Sequence, residues 1–124
     1  FIPHTLAYDG DATDVLLVSG PSFLPGCVVR ARPIGVLVME DQGGMDEKIL
    51  AVPVDDLHPY YSNVNSYTSL PKIITSQITH FFEHYKDLEP GKWTKIKGWE
   101  DAPRAKEFIL ETIENYKKQE EKAA

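Results

Sequence analysis

The sequence predicts a small single domain of mainly β class with two α-helices beside it, and three features of its 124 residues lead there. Residues 1–55 carry short β-branched and aliphatic runs separated by Gly, Pro and Asp clusters. From about Pro71 the apolar positions switch to a spacing of three and four. After a brief alternating stretch, a second helical pattern runs towards the C-terminus.

Four strands are expected in the first part: Asp14 to Ser19, Cys27 to Arg32, Ile34 to Glu40 and Lys48 to Val54. Short strands with tight punctuation favour a small barrel or sandwich. Pro21, Pro25, Gly26 and Pro33 are expected to break the run, and Gln42-Gly43-Gly44-Met45 reads as a hairpin turn. The strand order is expected to be meander-like, without βαβ units. Ile74, Ile78, Phe81, Phe82 and Tyr85 then mark a helix that ends near Pro90-Gly91, with its apolar stripe centred on Ile78, Phe81 and Tyr85. Trp93 to Trp99 alternates as a strand, and Asp101 is a candidate N-cap for a last helix. Ala105, Phe108, Ile109, Ile113 and Tyr116 would face inward there, with Lys117 to Ala124 as a frayed tail.

Composition narrows the function. Thirteen Lys plus Arg against nineteen Asp plus Glu give a net charge of −6, which argues against a nucleic-acid partner. An acidic chain can still bind phosphates through metal ions. The single Cys27 excludes an intrachain disulfide and no N-x-Ser/Thr sequon is present, so a reducing compartment, the cytoplasm, is expected. Apolar runs such as Val15 to Val18 and Ile34 to Met39 are too short to cross a bilayer, and no signal peptide pattern leads the chain. The opening Phe1-Ile2-Pro3, without an initiator Met, suggests a piece of something longer.

The densest chemical signal is Asp9-Gly10-Asp11-Ala12-Thr13-Asp14, three acids where a loop enters a strand. Extended backbone puts Asp9 and Asp11 on one side, and Asp14 joins them if Gly10 to Thr13 curls. Like charges this close repel unless a divalent cation neutralises them, and oxygen ligands suit hard ions such as Mg²⁺ or Ca²⁺. An Asp-rich surface turn is the plainer alternative. A calcium loop of the EF-hand type fails, because Asp14 stands where that loop needs Gly and Gly20 where it needs Glu.

A second acidic set lies on the expected hairpin, where Asp41 leads into the turn, Asp46 leaves it and Lys48 follows on the same strand face. Five aspartates on two adjacent loops could hold several Mg²⁺ ions, with Lys48 offering a charge to a bridging anion. Tyr85 and Lys86 close the helix that begins at Pro71; by pattern alone they are core and a dipole partner. His80-Phe81-Phe82-Glu83-His84 spells H-x-x-E-H, the inverted zinc-protease motif. Helical geometry puts His80, His84 and Asp87 opposite the apolar stripe, whereas catalytic zinc needs a concave site, so a subunit contact or plain exposure is the better reading.

Taken in order, these pieces resemble the soluble, family I inorganic pyrophosphatases of bacterial type. The likeness runs through Phe1-Ile2-Pro3-His4-Thr5-Leu6, Asp9-Gly10-Asp11-x-x-Asp14-Val15, and Pro25-Gly26 with Arg30-x-Arg32-Pro33-x-Gly35. It continues in Asp41 through Asp46 to Lys48, and in His80 through Gly91-Lys92-Trp93. It covers essentially the whole chain, read as one pyrophosphatase domain over residues 1–124.

The resemblance implies an OB-like five-stranded β-barrel flanked by helices, hydrolysing diphosphate to two orthophosphates with Mg²⁺, commonly as a hexamer. By position it makes Asp9, Asp14, Asp41 and Asp46 metal ligands, with Asp14 bridging two ions, and Asp11 the general base for the attacking water. It makes Lys48, Tyr85 and Lys86 phosphate ligands and places His80, His84 and Asp87 near a subunit contact. Phosphoryl transfer relies on positioning and charge neutralisation, which suits such a set. Two departures stand out. Ala12 and Thr13 replace the usual Pro or Glu and apolar residue, which predicts a changed loop with its ligands intact. The family's N-terminal segment, a source of further phosphate ligands and barrel strand, has no counterpart, so this piece is expected to have an incomplete barrel and impaired activity. The rival expectations are a non-catalytic OB-like module for oligonucleotide or protein and a zinc hydrolase built on H-x-x-E-H.

Overall fold

A computed structural model describes all 124 residues. Four strands, β1 (Val15–Leu17), β2 (Ala31–Asp41), β3 (Gly44–Pro53) and β4 (Thr94–Asp101), form one sheet in the order β1-β3-β2-β4. Helix α1 (Lys72–His84) packs on one face and α2 (Ala102–Ala123) on the other. The mainly β expectation with two helices holds. The sheet is open, with four strands in place of the five of a closed barrel.

Pairing departs from a meander at one place. β2 pairs antiparallel with both β3 and β4, but β1 runs parallel to β3, Val15 opposite Ile49. Cys27 to Arg30 forms no strand, and Val28 is 94% exposed; the β-branched pair there has no sheet neighbour to pack on. Pro33 does not end a strand either. It sits where the β2–β3 register slips by one, and a bulge accommodates its missing N–H. Gly35, just beyond, lies under Tyr67, whose Cβ would stand 2.9 Å from any added Cβ.

The hairpin turn is tighter than expected. Gln42 and Gly43 alone make it, and β3 already begins at Gly44. Alternation then divides the sheet's residues between its faces. Val36, Ile49 and Ala51 meet Ala105 and Phe108 of α2, whereas Leu37 and Met39 meet Phe82 of α1.

Helix α1 corrects the stripe. Ile74, Ile78 and Phe82 face the sheet, Phe82 being 7% exposed, while Phe81 and Tyr85 lie towards solvent. The helix stops at His84, before the Pro90-Gly91 expected. On α2, Asp101 caps as expected, accepting from Ala102 N at 2.9 Å. Ala105 and Phe108 are buried with Thr112 at the stripe's centre, and Ile109 and Ile113 are half-buried on its flanks. Lys117 to Ala123, expected to fray, continue the helix as an exposed last stretch. No helix is long and apolar enough to cross a membrane.

Candidate active site

The two acidic turns meet because β1 and the hairpin share a sheet. Parallel pairing brings Asp14, one residue before β1, beside Lys48: its carbonyl accepts from Ile49 N at 3.1 Å. The Lys48 ammonium then sits 2.6 Å from Asp14 Oδ2 and 3.0 Å from Asp46 Oδ1. Asp46 and Lys48 share a strand face, as their spacing requires. The Lys48 head also lies 5.7 Å from the Phe82 ring centre, so α1 floors the pocket.

A second ion pair forms alongside. The Lys86 ammonium contacts Asp41 Oδ2 at 2.8 Å, and Asp41 Oδ1 accepts from Gly43 N at 2.8 Å. Tyr85, the C-cap of α1, holds its ring 5.4 Å from the Lys86 ammonium and stacked on Phe81, ring centres 5.6 Å apart. Its N–H still bonds Phe81 O at 2.9 Å and its ring lies edge-on to Phe82 at 5.2 Å, yet it is exposed at the rim of the apolar stripe, not buried within it.

Asp9 and Asp11 stay on an exposed loop, where Gly10 takes φ +92°, a left-handed conformation open to glycine. Asp9 Oδ1 accepts from Asp11 N at 3.0 Å, and the Asp9 charge reaches Asp46. No side-chain contact joins Asp11 to the other acids. The altered loop position Thr13 is fully buried, its amide donating to Thr5 Oγ1 at 3.0 Å, and Asp14 keeps its place.

Electrostatics show a pocket short of positive charge. Burial raises the Asp46 pKa, Lys48 offsets only part of that, and the Asp9 and Asp41 charges add to it. Burial also opposes ionisation of Asp41, yet the Lys86 and Gly43 hydrogen bonds and the Lys48 charge together hold its carboxyl below the usual range. Lys48 shows the converse balance: desolvation disfavours its charge, and the bonds to Asp14 and Asp46 outweigh that and raise its pKa. Lys86 is raised chiefly by its hydrogen bond to Asp41.

These donors fit a hard cation. Asp9, Asp14, Asp41 and Asp46 offer carboxylate oxygens only, around the buried Asp46, whose charge Lys48 leaves under-compensated. As the side chains stand, no three ligating groups close on one point, since the ammonium groups occupy those oxygens. His80 and His84 lie on the outer face of α1, ring centres 4.6 Å apart, with His84 Nδ1 held 2.8 Å from Asp87. No third zinc ligand joins them.

Sequence reasoning missed several supporting residues. Phe82 beneath Lys48 was read only as core, and Gln42, whose Oε1 accepts from Trp93 N at 3.3 Å, only as turn. Glu47 points to the opposite face from Asp46, where Arg104 meets it at 3.5 Å. Its place between Asp46 and Lys48, at the head of the apolar run Ile49-Leu50-Ala51-Val52, was the available signal.

Comparison with known proteins agrees with this picture. The family model "Inorganic pyrophosphatase" matches residues 1–117. An inorganic pyrophosphatase of Agrobacterium fabrum is 59% identical over 119 residues, covering 96% of this chain and 67% of its own. One from Aquifex pyrophilus is 53% identical over 118 residues, covering 95% and 67%. The solved inorganic pyrophosphatase of Helicobacter pylori superposes with a TM-score of 0.91 at 47% identity, covering 94% of this chain and 69% of that one. The fold, the acid pocket and these relatives together define the class, a hydrolase acting at phosphorus. The chain spans about two thirds of the length of the curated relatives it matches. It belongs to the inorganic pyrophosphatase family.

Proposed function

We propose that this chain carries the catalytic acids of a diphosphate hydrolase that releases two orthophosphates, with Mg²⁺ as the ion. The observation that supports it best is the meeting of Asp14, Asp46 and Lys48 beside Asp41 and Lys86, from loops far apart in sequence. Asp9, Asp14, Asp41 and Asp46 hold the ions. When bound, Mg²⁺ supplies charge to phosphate oxygens and makes water easier to deprotonate near neutral pH.

The remaining roles fall to side chains. Asp11, exposed and free of ion pairs, takes the proton of the attacking water on its carboxylate. Lys48, Lys86 and Tyr85 would hold phosphate oxygens, the two ammonium groups being free to turn from the carboxylates to the anion wherever those acids were neutralised by cations. The His80, His84 and Asp87 face serves as a contact in a homo-oligomer, a hexamer, and the protein works in the cytoplasm.

Incubation with diphosphate and Mg²⁺, followed by orthophosphate release, tests this reading. Release that depends on Mg²⁺ and is strongly reduced in Asp11→Asn is expected. Undiminished release from Asp11→Asn would remove the base from the scheme, and none from the native sequence would remove the scheme itself.

A further inference from the structure

Lys86 and Asp41 come from elements far apart in the chain, yet they meet at 2.8 Å. Lys86 lies two residues beyond the end of α1, at His84. The last carbonyls of a helix lack intrahelical donors. Two of them, Phe82 O and Glu83 O, face the Thr94 hydroxyl at 2.8 and 3.3 Å. Thr94 begins β4, and its cross-strand partner is Asp41. Its neighbour Trp93 donates its N–H to Gln42 at the hairpin tip. Residues 93 and 94 thus tie the acid-bearing hairpin to the end of the helix that presents the lysine.

We propose that Thr94 is a positioning residue: its hydroxyl, bonded to the last turn of α1, sets where Lys86 and Tyr85 stand opposite Asp41 for gripping phosphate oxygens. The proposal rests on the diphosphate reading of the site. A threonine suits the task, because branching at Cβ restricts its first side-chain torsion and the hydroxyl keeps its aim. Its main acceptor belongs to Phe82, whose ring lies under Lys48, so a shift of this turn disturbs the surroundings of both lysines. Valine has the same shape without the donor and would leave the Phe82 carbonyl unpaired; serine keeps the donor.

Two measurements separate positioning from simple helix capping. In metal-free buffer, acylation of each lysine by an N-hydroxysuccinimide ester is followed by mass spectrometry, with exposed Lys106 on α2 as internal reference. Losing one hydrogen bond corresponds to about fivefold, so Thr94→Val is expected to acylate about fivefold faster at Lys86 relative to Lys106. With Mg²⁺ and diphosphate, KM is expected to rise about fivefold in the same variant while kcat stays within about twofold. Thr94→Ala should match Thr94→Val, and Thr94→Ser should match the native sequence. A Thr94→Val protein with a lower Tm but native Lys86 reactivity would overturn the proposal, as would failure of Thr94→Ser to restore both readouts. If the native sequence releases no orthophosphate, the diphosphate reading falls and acylation alone decides the role of Thr94.

Discussion

Replacing Lys48 by Met removes the one ammonium between Asp14 and Asp46 while keeping an apolar stem over Phe82. At these contact distances of 2.6 and 3.0 Å, each attraction is about 6 kcal/mol with an effective dielectric constant near 20. Desolvation of the lysine offsets much of that, and Asp14 is half exposed and can turn to water. Asp46 cannot, with a side chain 7% exposed. Breaking a buried pair of this kind costs about 3 kcal/mol, the lower end of its usual range. With a urea slope of about 1.5 to 2 kcal/mol per molar, the unfolding midpoint in EDTA should fall by about 1.5 to 2 M.

Magnesium provides the decisive comparison. A cation held by the same carboxylates replaces the lost ammonium, and at 100 times its dissociation constant it returns about 2.7 kcal/mol. Urea unfolding by circular dichroism, in EDTA and in excess Mg²⁺, should therefore show a larger magnesium shift for Lys48→Met than for the native sequence. A loss below about 1 kcal/mol in EDTA would refute the buried-pair reasoning. An equal or smaller magnesium response would refute the claim that ammonium and metal compete for one set of oxygens.

Other outcomes follow from the same geometry. Asp11→Asn should lower orthophosphate release by about 100-fold or more with an unchanged Tm, since Asp11 is exposed and its side chain is unpaired. Phe108→Ala, emptying a site 1% exposed between the sheet and α2, should cost about 3 to 5 kcal/mol by urea titration. Gly35→Ala should cost about 1 to 3 kcal/mol, because the new methyl meets Tyr67. For the Asp41–Lys86 pair, the depressed acid loses its contribution as pH falls through its folded-state value, below about 3.9. The raised amine is fully effective below about 10.4 and loses its contribution as pH climbs through its higher folded-state value. Urea midpoints of the metal-free chain should thus decline at both extremes, and Lys86→Met should flatten both declines.

Strands β2 and β3, the Asp101 cap and the shared strand face of Asp46 and Lys48 could be read from spacing, because alternation and capping are local properties. The parallel β1–β3 pair was hidden, since nothing in three residues specifies which distant strand they join. Val28 and Val29 have strand composition and no partner; propensity describes a fit to a neighbouring strand and is empty without one. Phe81 and Phe82 both fit the apolar spacing, and a stripe centred on Ile78, Phe81 and Tyr85 lies one residue away from the buried Phe82. The ammonium contacts of Lys48 and Lys86 depend on approach between loops and a helix end, which no single stretch encodes.

The run Asp46-Glu47-Lys48 sends its outer residues towards α1 and its middle one towards Arg104 of α2. If β3 slid one place along β2, Glu47 would enter the pocket against Leu37 and Met39, and Asp46 and Lys48 would be driven into the packing around Phe108. Each misplaced group would lose its counter-ion at once. Opposed charges on the two faces thus act as a lock on strand alignment, independent of any part they play in chemistry.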